Sequence, residues 1–318
     1  MMLHRPIRMP AAEPSHMHTR NDLNYYRGYE WWMMREARKR SPDMELYGLS
    51  WGVPGWIGDG EFFSEDNVDY HVKWLEGARD SHGLGDEFVM GQWNERSYSI
   101  DWTIELRKQM DAAGFSNSRV IVADNNWDVI NDLVKNKTFL DAVDIVGVHY
   151  PDTGRKLPPS ADALSLGLPL WASEFWDLRE VANWEGALRL AQNINDNYVV
   201  GSITGHIIWN TVFSWYAILP FSHPDNTTSG AGHSVVAAAE PWSGHWQVSP
   251  TAYAAAHTTQ FAMPGWHYLN QSSISGEHSG AGTLPGGGTY ATLLSGDAAD
   301  FSIVFVTAGA AKTQTVTL

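Results

Sequence analysis

The sequence has no cysteine. A disulfide framework, thiol catalysis and cysteine-ligated zinc or iron–sulfur sites are therefore excluded. Basic side chains are scarce: 21 Lys and Arg stand against 36 Asp and Glu, a formal net charge of -15. A surface of that sign repels phosphates, which argues against a nucleic-acid partner. No apolar run reaches the roughly 20 residues of a membrane span. The opening MMLHRPIRMPAAEP is basic but lacks the apolar stretch of a secretory signal. Several chemical signatures are missing too. There is no H-E-x-x-H and no Gly-rich phosphate loop after any strand-like run. His16-x-His18 is the start of a metal-binding pattern, but no strand precedes it and no matching later ligands follow. No metal is expected.

What the chain does contain is 43% hydrophobic residues and 16 tryptophans, enough to bury a core within 318 residues. That length suits one large domain with a small companion. From residue 24 to about 210, amphipathic stretches alternate with short apolar runs. Helical spacing is expected over Tyr25 to Arg40 (ending at Ser41-Pro42), Asn67 to Ala78, Ile104 to Ala113, Asn126 to Leu140 and Asn183 to Asn195. Strands are expected at MELYGLSW, EFVMGQWNE, VIVADN, DIVGVHY, LPLWASEF and TGHIIWN. Six strands separated by helices or long loops describe repeated βα units around a parallel sheet. The spacing favours a (β/α)₈ TIM barrel, which needs ~250 residues, over a doubly wound sheet. From about Trp246 the pattern changes to short β-prone runs such as TYATLL, FSIVFVTA and TQTVTL, broken by glycines. These predict a small antiparallel β-sandwich domain.

In such a barrel the reactive groups sit at the C-terminal ends of strands. Those positions are Trp51, Asn94 with Glu95, Asp124 with Asn125, His149 with Tyr150, Glu174, and Trp209 with Asn210. Two carboxylates stand out, Glu95 and Glu174. If the six strands are the last six of eight, these close strands 4 and 7, which face each other across a barrel mouth. Paired carboxylates are what glycosidic bond cleavage requires: one protonated to donate to the leaving oxygen, one ionised to attack the anomeric carbon. Asn94 offers an amide to a sugar hydroxyl, and tryptophan faces can stack on a pyranose ring. Ordinary readings stand beside these. A strand-end Glu is commonly solvated or salt-bridged, and most tryptophans in so rich a chain are core, Trp31 and Trp32 of the first helix among them. His149 is either a pocket donor or a hydrogen-bonded residue beneath the loops.

EPSHMH (13–18), YYRGYEWWMMREARKR (25–40), GLSWGVPGW (48–56), WNERSY (93–98), DIVGVHYP (144–151), WASE (171–174), EPWSGHW (240–246) and HTTQFAMPGWHYL (257–269) carry a family resemblance. Together, in this order, they resemble the galactocerebrosidases, glycoside hydrolases of family 59 that act on β-galactosyl ceramides. The resemblance runs from about residue 12 to about 305. It implies a retaining mechanism, with Glu95 as general acid/base and Glu174 as nucleophile. Trp51, Asn94, His149, Tyr150 and Trp209 would contact the substrate, a galactoside or galactolipid. No cofactor is implied. A lipid-presenting carrier protein is a possible partner, and a secreted or lysosome-like location follows from the resemblance alone.

Against the family pattern, the barrel enters this chain at its third strand. The expected organisation is a truncated N-terminal segment over 1–23, barrel strands 3 to 8 over 24–238, and part of a β-sandwich over 239–318. Phe175 stands where relatives carry Asp. The alternatives are a non-catalytic carbohydrate-binding fragment, and a retaining β-glucosidase or glucosylceramidase.

Overall fold

The computed structural model describes residues 15–151, 157, 159–175, 184–213, 234–238, 241–270 and 279–307. The expected TQTVTL strand lies outside the described residues. The chain divides into two compact units, Met1–Val148 with Ser160–Pro169, and His149–Pro159 with Leu170–Leu318.

The first unit is a run of β/α repeats: α1 (Glu30–Arg40), β1 (Tyr47–Ser50), α2 (Glu65–Glu76), β2 (Val89–Trp93), α3 (Ile100–Ala112), β3 (Arg119–Asp124), the short α4 (Ile130–Leu133) and α5 (Lys137–Asp141), and β4 (Ile145–His149). A further short helix, α6 (Ala161–Ser165), completes it. β1 pairs with β2, β2 with β3 and β3 with β4, all parallel. The strands β2, β3 and β4 are buried almost throughout, as sheets covered by crossover helices must be. Between sheet and helices lies a core of Trp31, Leu46, Val68, Leu75, Phe88, Met90, Trp102, Leu106, Met110, Phe115 and Val120.

The helices depart from their sequence pattern where local chemistry intervenes. α1 starts at Glu30 rather than Tyr25, because Gly28 sits at φ +83° and breaks the helical run before it. Within α1, Trp31 is buried but Trp32 is 57% exposed, so only the first is core. Neighbouring helical residues point about 100° apart, and both cannot face the sheet. The stretch 126–140 is not one helix. The side chains of Asn126 and Asn136 accept from the backbone N–H groups of Asp128 and Phe139, and each caps a new start. α3 closes as expected at Gly114, φ +85°.

The second unit opens with β5 (Leu170–Phe175), α7 (Trp184–Gly201) and β6 (Ile203–Ile208), and β5 pairs with β6 in parallel. A small sheet follows, made of β7 (Val212–Phe213), β8 (Val236–Ala237) and β9 (Gln247–Val248). Then comes α8 (Pro250–Thr259), where the sequence reading expected only short strands. Ser249 followed by Pro250 at the first helical position is a helix-start signal that the surrounding β-prone runs obscure. The expected antiparallel module is β10 (His267–Tyr268), β11 (Ala281–Thr283), β12 (Thr289–Leu294) and β13 (Phe301–Val306). Asn195 of α7 donates to the Val304 carbonyl at 3.0 Å, which fastens helix to sheet. The order of β/α repeats followed by an antiparallel β module is that of the TIM-barrel class with an added β domain. Among the described residues, no helix is long and apolar enough to cross a membrane.

Two histidines of the first unit, His16 and His71, are structural. His16 is buried, packs on the Tyr70 ring at 4.2 Å and bonds the Tyr70 carbonyl at 3.0 Å, which pins the SHMH segment in place. His71 is buried between the Ser50 hydroxyl and the Asn67 carbonyl. Burial lowers His16 to about 3 and His71 to about 4. Both are neutral in the fold and gain a proton on unfolding below their ordinary value of 6.5. Their contribution is complete above that value and is lost as pH falls towards the folded values, by about 1.4 kcal/mol per pH unit per histidine. The melting temperature should therefore fall steadily from about pH 6.5 to about pH 4.5, and His71→Asn should flatten the slope. A melting temperature constant across that window would refute buried neutral histidines. Separately, Leu106→Ala, at a fully buried position, should cost about 2–5 kcal/mol in urea unfolding.

Candidate active site

Each strand of the β/α repeat ends in a polar or aromatic residue that the sequence singles out. In the first unit, Trp51 directly follows β1 and is half-buried. Asn94 and Glu95 directly follow β2. The Asn94 N–H donates to the Ser50 carbonyl at 2.9 Å, which locks this turn to the end of β1. The Asn94 side-chain oxygen is buried without a hydrogen-bond partner. An orphaned buried acceptor is costly, and a ligand hydroxyl would satisfy it. Glu95 is exposed, and its N–H donates to Asp124 Oδ2 at 2.9 Å. Asp124, the last residue of β3, is itself buried.

In the second unit, Glu174 lies in β5, only 8% exposed. Its Oε1 accepts a hydrogen bond from the Tyr150 hydroxyl, and His149 Nδ1 is 3.9 Å from the same oxygen. The Tyr150 N–H donates to the Glu174 carbonyl at 2.9 Å, so backbone and side chain hold the pair together. His149 is buried and stands edge-on to the Tyr150 ring, with centroids 5.5 Å apart. This places His149 beside the carboxylate but beyond hydrogen-bond distance of it, which leaves both readings of its sequence position standing. Trp209 follows β6, and its N–H donates to the Phe175 carbonyl at 3.1 Å. Phe175 is fully buried against His206, so its side chain points away from the strand-end group. The Asn210 side-chain oxygen is buried without a partner, like that of Asn94.

The backbone marks the same places. Glu95 (φ 53°), Asp124 (φ 113°) and Tyr150 (φ 48°) all adopt the left-handed region that favours glycine. Such residues cost of order 1–3 kcal/mol each and cluster at functional sites. Three of them sit at the ends of β2, β3 and β4, where a packing role does not require them. Asp124 and Asn210 are the residues that sequence reasoning passed over. Strand-end position flagged both, but nothing in residue type separates a polar residue that holds a turn from one facing solvent.

Residues 9–260 match the model of Glycosyl hydrolase family 59. The chain belongs to this family. Among family 59 relatives, the galactocerebrosidases of Mus musculus and Homo sapiens are 39% and 38% identical over 291 residues. Those alignments cover 90% of this chain and 39% of each relative. The galactocerebrosidase of Danio rerio is 38% identical over 287 residues, 89% of this chain and 40% of that one. The family 59 chain described here thus spans about two fifths of the length of the curated relatives it matches. Its fold resembles the catalytic domain of GH30 xylanase C from Talaromyces cellulolyticus, with a TM-score of 0.59 at 16% identity. That likeness covers 83% of this chain and 65% of the other. The endo-β1,6-glucanase BT3312 gives a TM-score of 0.55 at 14% identity, covering 87% and 72%.

The strain at Glu95 has a measurable consequence. Glu95→Gly removes the steric penalty of the left-handed backbone and, because the side chain is exposed, gives up little packing. The variant should be about 1 kcal/mol more stable in urea unfolding, since glycine enters this region at no steric cost. A variant no more stable than its parent would show that Glu95 is not strained.

Proposed function

We propose that this family 59 chain carries the machinery of a retaining glycoside hydrolase that releases terminal β-galactosyl residues. Galactosylceramide-type glycolipids are its expected substrates, with a lipid-presenting carrier protein as the expected partner for a ceramide aglycone. Residues 24–238 would form the catalytic barrel region, strands 3 to 8, and 239–318 would belong to the β-sandwich companion.

The observation that supports this reading best is the setting of Glu174: a buried carboxylate at a strand end, accepting from the Tyr150 hydroxyl beside His149. A hydroxyl that donates to Oε1 treats the carboxylate as an acceptor, the ionised form that a nucleophile needs. On this reading Glu174 Oε2 attacks the anomeric carbon while Glu95 gives its proton to the glycosidic oxygen. The aglycone leaves as an alcohol, and galactose stays bound to Glu174 through an ester. Glu95, now ionised, takes a proton from water as its oxygen attacks the anomeric carbon from the face the aglycone left, which breaks the bond to Glu174 and returns that residue as a carboxylate. Two inversions give retention. The orphaned oxygen of Asn94 would accept a sugar hydroxyl, and Trp51 and Trp209 would supply apolar faces.

Hydrolysis of aryl β-galactosides tests this. Glu174→Gln and Glu95→Gln should each lower kcat by about 10³-fold or more with poor leaving groups, because nucleophile and acid are lost outright. Near-parental turnover by Glu174→Gln would overturn the assignment. Tyr150→Phe, which removes one donor from the nucleophile, should lower kcat by about tenfold or more with the fold intact. Faster cleavage of aryl β-glucosides would move the substrate to the glucosidase class. Galactose binding without turnover would favour a carbohydrate-binding module.

A further inference from the structure

Glu95 occupies the third position of a tight turn over residues 93–96, closed by the Arg96 N–H donating to the Trp93 carbonyl at 3.2 Å. Turns whose third residue is left-handed ordinarily carry Gly or Asn there. A turn of this shape has a near neighbour in conformation. Rotating the central peptide, between Asn94 and Glu95, by half a revolution takes the third residue from positive to negative φ. For Glu95 that rotation would release the strain at φ 53°, shift the Glu95 nitrogen by about an ångström and so tilt the Cα–Cβ bond that carries the carboxyl group. The N–H of this same central peptide is the one that donates to Asp124 Oδ2 at 2.9 Å. A carboxylate is an acceptor only. It attracts the N–H in the observed orientation, and it would repel the Asn94 carbonyl that the rotated peptide would turn towards it. Asp124 is buried and left-handed itself, at the end of β3, so it is a rigid anchor from the neighbouring strand.

We propose that Asp124 is a positioning residue for Glu95: it holds the 94–95 peptide in the orientation that aims the Glu95 carboxyl group as acid and base. The inference rests on the acid/base reading of Glu95 given above. It adds a residue that touches neither sugar nor reacting atoms and that acts through a single backbone N–H.

The test uses the whole chain and two readouts. The first is kcat/KM on two aryl β-galactosides. A 4-methylumbelliferyl group needs protonation to leave, and a 2,4-dinitrophenyl group does not. Asp124→Ala should lower kcat/KM by about 10²-fold on the first substrate, the usual effect of misplacing a reactive group by an ångström. On the second the loss should be only a few-fold. Asp124→Asn keeps an acceptor oxygen and should recover a large part of the loss. Equal losses on both substrates would overturn the proposal, because a general structural defect does not distinguish leaving groups. Glu95→Ala is run in parallel. If it shows no leaving-group dependence, the acid/base reading of Glu95 has failed, which is a separate result.

The second readout needs no turnover. Amide exchange at Glu95 should be slow in the parent, fast in Asp124→Ala, and intermediate in Asp124→Asn, with β2 and β3 amides unchanged. Unchanged exchange at Glu95 in Asp124→Ala would overturn the proposal even for an inactive chain. Should Asp124→Ala fail to fold, Asp124→Asn carries the comparison: exchange at Glu95 no faster than in the parent would overturn it.

Discussion

Parallel pairing is the constraint on which the site depends. Strands that run the same way, each followed by a helix, must all end on the same edge of their sheet. A residue placed at or just after a strand's last position therefore joins a row of such residues without any contact in sequence. Trp51, Glu95 and Asp124 meet this condition in the first unit, and Glu174 and Trp209 in the second. The cost is that strand-end backbone must leave the ladder abruptly. Left-handed φ at Glu95, Asp124 and Tyr150 is the form that departure takes.

Hydrogen bonds between neighbouring strand ends convert this row into fixed geometry. The Asn94 N–H is held by the end of β1, the Glu95 N–H by the end of β3, and Tyr150 by the Glu174 backbone and side chain together. Each bond ties a loop residue to an adjacent strand. Loop conformations that would be costly alone are over-determined by buried partners, and that is how strain persists in a folded chain. The two orphaned amide oxygens, on Asn94 and Asn210, are the complement: buried acceptors that the fold itself leaves unsatisfied.

Much of this was legible in the residues. All six expected parallel strands are present, because continuous apolar runs bounded by turn signals survive any tertiary context. Helix limits were less so. Gly28 and the two capping asparagines, Asn126 and Asn136, redirect the chain by backbone conformation and side-chain capping, which hydrophobic periodicity does not register. α8 was hidden for the same reason: its start lies in one Ser-Pro step, not in its apolar pattern.

By itself, the sequence determined the β/α order, the strand-end positions of Glu95 and Glu174, and membership of a glycoside hydrolase family through its motifs. These depend on local composition and on the order of elements. Tertiary structure alone decided that Tyr150 reaches the Glu174 carboxylate, that His16 and His71 are neutral core residues, and that Asp124 grips the Glu95 peptide. The reason is distance along the chain. Tyr150 and Glu174 are 24 residues apart and Glu95 and Asp124 are 29, and only folded strands bring such pairs within hydrogen-bond reach.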